Sequence, residues 1–279
     1  MARPDGRGLQ PPISNPFRRR VEAAGGISLP PWTGYEDWEK RRIQYANQQR
    51  GTLEGYDCPE CLNRGYFLVL EPDGSRRTRE CRCMARRRSM QSLARSGLAE
   101  LAKRYTLESW QRESPWQSQA LALARGWLAS GPTGWFYLAG GPGTGKTHLC
   151  VGLCARLVES GREVRYAVWR DLTVRAKALV NQPEAYQALV EPLKTVEVLY
   201  IDDLFKTGRD QAPTSGDVNL AFELLNARYN RPSCVTLLSS QWNINGLLEL
   251  DEALGSRIYE RSRGFYLDFT GRPNHRLLS

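Results

Sequence analysis

The 279-residue sequence holds only two histidines, His148 and His275. That argues against chemistry built on a histidine dyad or on several histidines around one metal. No apolar run approaches the roughly 20 residues that a membrane-spanning helix needs, so no membrane association is expected. The opening stretch MARPDGRGLQPPISNPFRRR lacks the apolar core of a signal peptide, which leads to the expectation of a cytoplasmic protein. Against these absences stands a globular balance of 41% hydrophobic and 25% charged residues. The length suits one large domain or two modest ones.

Charge is unevenly spread. Residues 1–104 carry 20 Lys+Arg against 12 Asp+Glu, whereas residues 105–279 carry 19 against 18. Nearly all of the formal +9 therefore sits in the first third. A basic segment joined to a near-neutral domain points to an acidic partner, nucleic acid first and an acidic protein surface second. A solvated charged surface is the plain alternative.

Residues 1–30, rich in Pro, Gly and Arg, read as a flexible tail. Residues 31–104 follow as a small basic unit: an amphipathic helix over Tyr35–Gln49, a strand over Tyr66–Leu70, a Pro72-Asp73-Gly74 turn, a return over Ser75–Glu80 and a basic linker helix over Met84–Arg104. From residue 105 the rhythm is that of alternating helices and strands, with strands expected at Trp135–Ala139, Glu163–Trp169, Val196–Ile201, Cys234–Leu238 and Phe265–Phe269. Such alternation implies a parallel sheet covered by helices on both faces. No internal repeat is visible.

Gly140, Gly141, Pro142, Gly143, Thr144, Gly145, Lys146 and Thr147 fit GxxxxGK[ST] in full, after an apolar strand and at the start of a helix. Glycines are needed where backbone N–H groups must wrap a phosphate. Lys146 would set its charge against the β- and γ-phosphates and Thr147 would ligate Mg²⁺. The positive end of the helix adds to the attraction. Further on, VEVLYIDD ends an apolar strand in two acids: Asp202 to hold Mg²⁺ through water, and Asp203 to polarise the attacking water. Asp reaches less far than Glu, so modest turnover is expected. Ser239, Ser240 and Gln241, at the exit of a later strand, could sense the γ-phosphate or simply be strand-end polarity. Arg257 and Arg261 lie four apart on one helical face, where an arginine could reach a phosphate across a subunit boundary as a finger or simply be charge at the C-terminal end of a helix. Trp169, Phe205 and Trp242 offer a base-stacking surface, or else core.

Cys58-x-x-Cys61, then 19 residues, then Cys81-x-Cys83 pairs four thiols around a hairpin. This is the spacing of a closed tetrahedral Zn²⁺ site, structural rather than catalytic. Metal binding would stabilise a segment with few large apolar residues. An iron–sulfur cluster and, less fittingly for a cytoplasmic chain, disulfides are the alternatives. Cys150, Cys154 and Cys234 read as core.

The GGPGTGKTHL loop, the VEVLYIDDLFK strand, the SRIYERSR segment and the upstream CPEC…CRC cluster together resemble the DnaC/DnaI-type replicative helicase loaders, AAA+ ATPases of bacteria and their phages. The resemblance spans about residues 56–279. It implies an α/β P-loop AAA+ core, a parallel sheet flanked by helices, preceded by a small zinc-binding domain with four cysteine ligands. It also implies ATP, Mg²⁺ and Zn²⁺ as ligands, with Lys146, Asp203 and Arg261 catalytic, and nucleotide contacts from residues 140–147 extended to His148 and to Arg276 as a second sensor. A hexameric DnaB-type helicase and single-stranded DNA are the implied partners, with self-association through the ATPase domain. Two rivals share the phosphate loop: an IstB-like transposition regulator, whose relatives usually lack the four cysteines, and a stand-alone P-loop kinase.

Overall fold

Opposite charges one helical turn apart, Glu36 with Lys40 and Asp37 with Arg41, support α1 (Tyr35–Gln48). The turn at Pro72-Asp73-Gly74 joins β1 (Tyr66–Leu70) to β2 (Arg76–Glu80), with Gly74 at φ +82°. Asn47 on the helix grips both the N–H and the carbonyl of Leu68, at 3.0 and 2.9 Å. Arg76 binds the buried Glu39 through two 2.6 Å hydrogen bonds. These residues, 35–50 with 66–79, form one of two units in the computed structural model, which describes residues 35–95, 98–208 and 211–277. The expected tail over 1–30 lies outside the described residues.

The second unit takes residues 51–65 and 80 onward. Its first helices are α2 (Cys83–Arg95), α3 (Leu98–Arg104) and α4 (Pro115–Ala129), the last with Pro at its first turn. Then come β3 (Trp135–Ala139), α5 (Lys146–Glu159), β4 (Val164–Val168), α6 (Trp169–Ala178), α7 (Pro183–Thr195) and β5 (Val198–Leu204). The chain continues through α8 (Ser215–Tyr229), β6 (Val235–Ser240), α9 (Ile244–Leu250), α10 (Glu252–Arg261), β7 (Tyr266–Asp268) and a 3₁₀ turn at His275–Leu277.

The five strands β3 to β7 run parallel in the order β4-β5-β6-β3-β7. Period-two burial divides their side chains between two apolar layers. Phe136, Leu138, Val198 and Tyr200 face α4 and α5; Trp135, Tyr137, Leu199 and Ile201 face α6, α7, α8 and α10. This is the expected α/β architecture, a parallel sheet flanked by helices. Fully buried Arg228 on α8 ties the second layer together through Thr236 Oγ1 and the carbonyls of Leu193, Val196 and Val235, at 2.6–2.9 Å. Burial lowers its pKa to about 10, since no carboxylate is among these partners.

Several expected boundaries move. The predicted Met84–Arg104 helix is two helices. β4 stops at Val168, where Trp169 opens α6, and β5 runs through the acidic pair instead of ending before it. α9 has no counterpart among the expected elements; Asn243 starts it by accepting the Gly246 N–H at 3.0 Å. Trp169 and Phe205 pack edge to face, both buried, so they are core and not a stacking surface. Among the described residues no helix is long and apolar enough to cross a membrane.

Candidate functional site

The GGPGTGKT segment leaves the C-terminal end of β3, an inner strand between β6 and β7, and turns into α5. Open parallel sheets bind ligands in the crevice at that end. Three of its glycines adopt positive φ: Gly140 at +130°, Gly143 at +73° and Gly145 at +93°. Space forbids side chains there as firmly as torsion does. A Cβ on Gly145 would lie 2.7 Å from the Trp110 ring, one on Gly140 2.7 Å from Phe269, and one on Gly143 1.7 Å from Asn274 Oδ1.

Lys146 is buried, with Nζ donating to the carbonyls of Gly140 and Gly141, each at 2.7 Å. Burial lowers its pKa, opposed by the nearby charges of Asp203 and Asp202. One residue on, Thr147 Oγ1 lies 3.1 and 3.3 Å from the two oxygens of Asp202, so the two magnesium candidates meet. The Asp202 carboxylate also accepts from Tyr200 OH at 2.7 Å, from Tyr166 OH at 3.0 Å and from Ser239 Oγ.

Asp203 sits where the β5–β6 register shifts, and its φ of +55° is left-handed, unusual for a residue other than glycine. Its carboxylate pairs with Lys206, and its N–H donates to Ser239 Oγ at 3.0 Å. One serine hydroxyl thus bridges the acidic pair. Ser240 Oγ instead donates to the Leu204 carbonyl, and Gln241 is exposed.

The other candidates lie around this centre. His148 Nε2 meets the Thr106 carbonyl at 2.9 Å and Ser109 Oγ at 3.2 Å, its ring stacked on Tyr105 and set edge-on to Trp110. Burial lowers its pKa, an effect the Thr106 contact opposes. Arg276 is exposed beyond Asn274, whose neighbour His275 donates its N–H to the Gly143 carbonyl at 3.0 Å. Arg261 reaches the carbonyls of Thr133 and Pro232, just ahead of β3 and β6. That is the opposite end of the sheet from its own phosphate loop, beyond the full length of β3, about 17 Å at 3.3 Å per strand residue. Arg257 bonds the Ala253 carbonyl and lies over the rings of Phe222 and Tyr229.

Four cysteines form a second centre. Cys58, Cys61, Cys81 and Cys83 are buried, with all four sulfurs within 4.8 Å of one another. Cys58 to Cys81 is 3.9 Å and Cys61 to Cys83 is 3.5 Å. A tetrahedron of metal–sulfur bonds of about 2.3 Å places sulfurs about 3.8 Å apart, whereas a disulfide requires about 2.05 Å. The donor set therefore fits one tetrahedral thiophilic metal. Burial pushes the Cys81 thiol up to about 12; at Cys61 burial is outweighed by the Gly65 N–H and the neighbouring thiols, and the value falls to about 7. Arg87 braces the loop through the carbonyls of Glu54 and Tyr56 and through Asn63 Oδ1.

Sequence reasoning missed Tyr166, Tyr200 and Asn274. Tyr200 was within reach, because two residues before Asp202 in one strand is the same face. Tyr166 needed the β4–β5 register, and Asn274 needed the return of the chain over the loop.

The model of the IstB-like ATP binding protein family matches residues 85–261. The phage-like element PBSX protein XkdC of Bacillus subtilis (strain 168) is 29% identical over 235 residues, 80% of this chain and 86% of that one. The replicative helicase loader DnaC of Escherichia coli (strain K12) is 26% identical over 188 residues, 66% of this chain and 72% of DnaC. A crystal structure of DnaI superposes with a TM-score of 0.50 at 19% identity, covering 63% of this chain and 92% of that one, a likeness of fold alone. With its phosphate loop, acidic strand and parallel sheet in place, the chain belongs to the IstB-like family of ATP-binding proteins, with AAA+ architecture.

Proposed function

We propose that this protein is an ATP-dependent loader that places a hexameric DnaB-type replicative helicase on single-stranded DNA. The observation that carries the reading is one chain holding both a complete phosphate loop, with Thr147 set against Asp202, and a closed four-cysteine centre. The likeness to a helicase loader over 72% of that protein's length supports it.

In this account the N–H groups of residues 140–147 and the Lys146 ammonium bind the triphosphate, and Arg276 approaches it from the C-terminal segment. Thr147 and Asp202 would hold Mg²⁺, which when bound would neutralise charge developing on the phosphates. Asp203, released from Lys206, orients the attacking water. Arg261 belongs to a neighbouring subunit's site, since it stands at the far end of the sheet from its own loop; Arg257 is the competing choice. Cys58, Cys61, Cys81 and Cys83 would hold Zn²⁺ with no open position, a structural role. Nucleotide closes subunit contacts, and hydrolysis releases the helicase.

Affinity capture of the helicase encoded in the same genome, with and without ATP, tests the loader reading. Nucleotide-dependent co-purification is expected; no association in either condition overturns it. The family match favours one second reading, an ATP-dependent partner of a transposase, and capture of the transposase in place of the helicase would support that instead.

A further inference from the structure

Asp202 has two oxygens and four hydroxyl neighbours, unequally shared. Oδ1 accepts from Tyr200 at 2.7 Å and from Ser239, and lies 3.1 Å from Thr147. Oδ2 has Tyr166 at 3.0 Å and Thr147 at 3.3 Å. Thr147 belongs to the proposed magnesium site itself, so among the described residues Tyr166 is the donor outside that site that fixes the second oxygen. We infer that Tyr166, on the edge strand β4, is a positioning residue that sets the orientation of the Asp202 carboxylate for the magnesium ion of a bound nucleotide. The inference rests on the nucleotide reading above and extends it.

The phenol is well mounted for this task. Tyr166 pairs with Tyr200 in the β4–β5 register, and the two rings lie 5.3 Å apart at 36°. Both hydroxyls therefore reach toward the C-terminal end of the sheet, where Asp202 stands. An edge strand is ordinarily free to shift on its open side, but here its start is fastened. Ser89 of α2 accepts the Val164 N–H at 3.1 Å and donates to the Arg162 carbonyl at 2.6 Å. Partners that orient a metal-binding carboxylate typically contribute ten- to a hundred-fold in metal affinity.

The test is Tyr166→Phe in the full chain, which removes one hydroxyl and keeps the ring. Binding of a fluorescent ADP analogue is titrated in EDTA and across a magnesium series, with Tyr186→Phe as control; that hydroxyl bonds Glu223, away from the loop. For Tyr166→Phe the affinity in EDTA stays at the wild-type value, while the magnesium concentration for half-maximal enhancement rises about ten-fold. Tyr186→Phe changes neither. Wild-type magnesium dependence in Tyr166→Phe overturns the inference and leaves the nucleotide site standing. An equal loss of affinity with and without magnesium also overturns it, because that is what a merely structural ring would do. Failure of the wild-type chain to bind nucleotide more tightly with magnesium overturns the reading beneath it.

Discussion

Gly145 offers the sharpest perturbation of the phosphate loop, because torsion and space act there together. Its φ of +93° is left-handed, which costs a residue with a Cβ about 1–2 kcal/mol. The new methyl would lie 2.7 and 2.8 Å from Trp110 Cζ3 and Cη2. Trp110 cannot swing away freely: it is buried, its indole N–H donates to the Gln117 carbonyl at 2.9 Å, and Trp116 and His148 meet it edge-on. Overpacking of this kind costs about 1–3 kcal/mol. Gly145→Ala should therefore distort the loop at a cost of about 2–5 kcal/mol. If about 3 kcal/mol of that falls on the binding-competent shape, nucleotide affinity drops somewhat more than 100-fold. Gly131→Ala separates the two effects, since Gly131 has φ +66° and nothing within 4 Å of its added Cβ. It should lose about 1–2 kcal/mol of stability and no nucleotide affinity. Calorimetric titration with ADP and thermal unfolding of both variants give the comparison. Wild-type affinity in Gly145→Ala would refute the argument that this backbone must close on the phosphate unobstructed.

Other outcomes follow from the same geometry. Arg228→Met strands three carbonyls and a hydroxyl, at about 1 kcal/mol each or more, so the unfolding temperature should fall by about 8–16 °C in a thermal melt. Burial lowers the pKa of His148 in the fold, so as pH falls the unfolded chain takes up a proton before the folded one does. Stability should then fall as pH drops from about 6.5 through the folded value, below which the loss is complete; denaturant melts of His148→Phe against wild type should show a weaker decline over that window. Elemental analysis should find one zinc per chain, absent in a Cys81→Ser/Cys83→Ser variant, with faster amide exchange in residues 51–65 when the metal is removed. Arg261→Ala and Lys146→Ala should each abolish ATP turnover, yet partly restore it when mixed, because an intact loop on one chain can meet an intact arginine on another; mixtures as inactive as their parts would argue against a shared site.

The architecture was legible because the sheet is buried on both faces and each strand declares itself as an apolar run between helices. The phosphate loop was legible for a different reason: phosphate wrapping permits so few residue types that GGPGTGKT is close to its own description. The four cysteines were readable from spacing, and the described structure gathers their sulfurs. What stayed hidden depends on the third dimension. Ser239 stood out as a polar strand-end residue, but its bridge between Asp202 and Asp203 requires the β5–β6 register and its shift. The left-handed turn at Asp203 has no sequence mark, since aspartate adopts it only when its surroundings require it. Trp169 and Phe205 suggested an exposed stacking surface because aromatic content does not reveal which face of an element is covered.

The central claim is that residues 140–147 close around the phosphates of a nucleotide while Thr147 and Asp202 present a magnesium site. Equilibrium titration of the full chain with ATP, with and without magnesium, beside a Lys146→Ala variant, tests it most directly. Saturable binding is expected, one nucleotide per chain, strengthened by magnesium and lost in the variant. Binding absent from the wild type, or indifferent to both magnesium and Lys146, would contradict it.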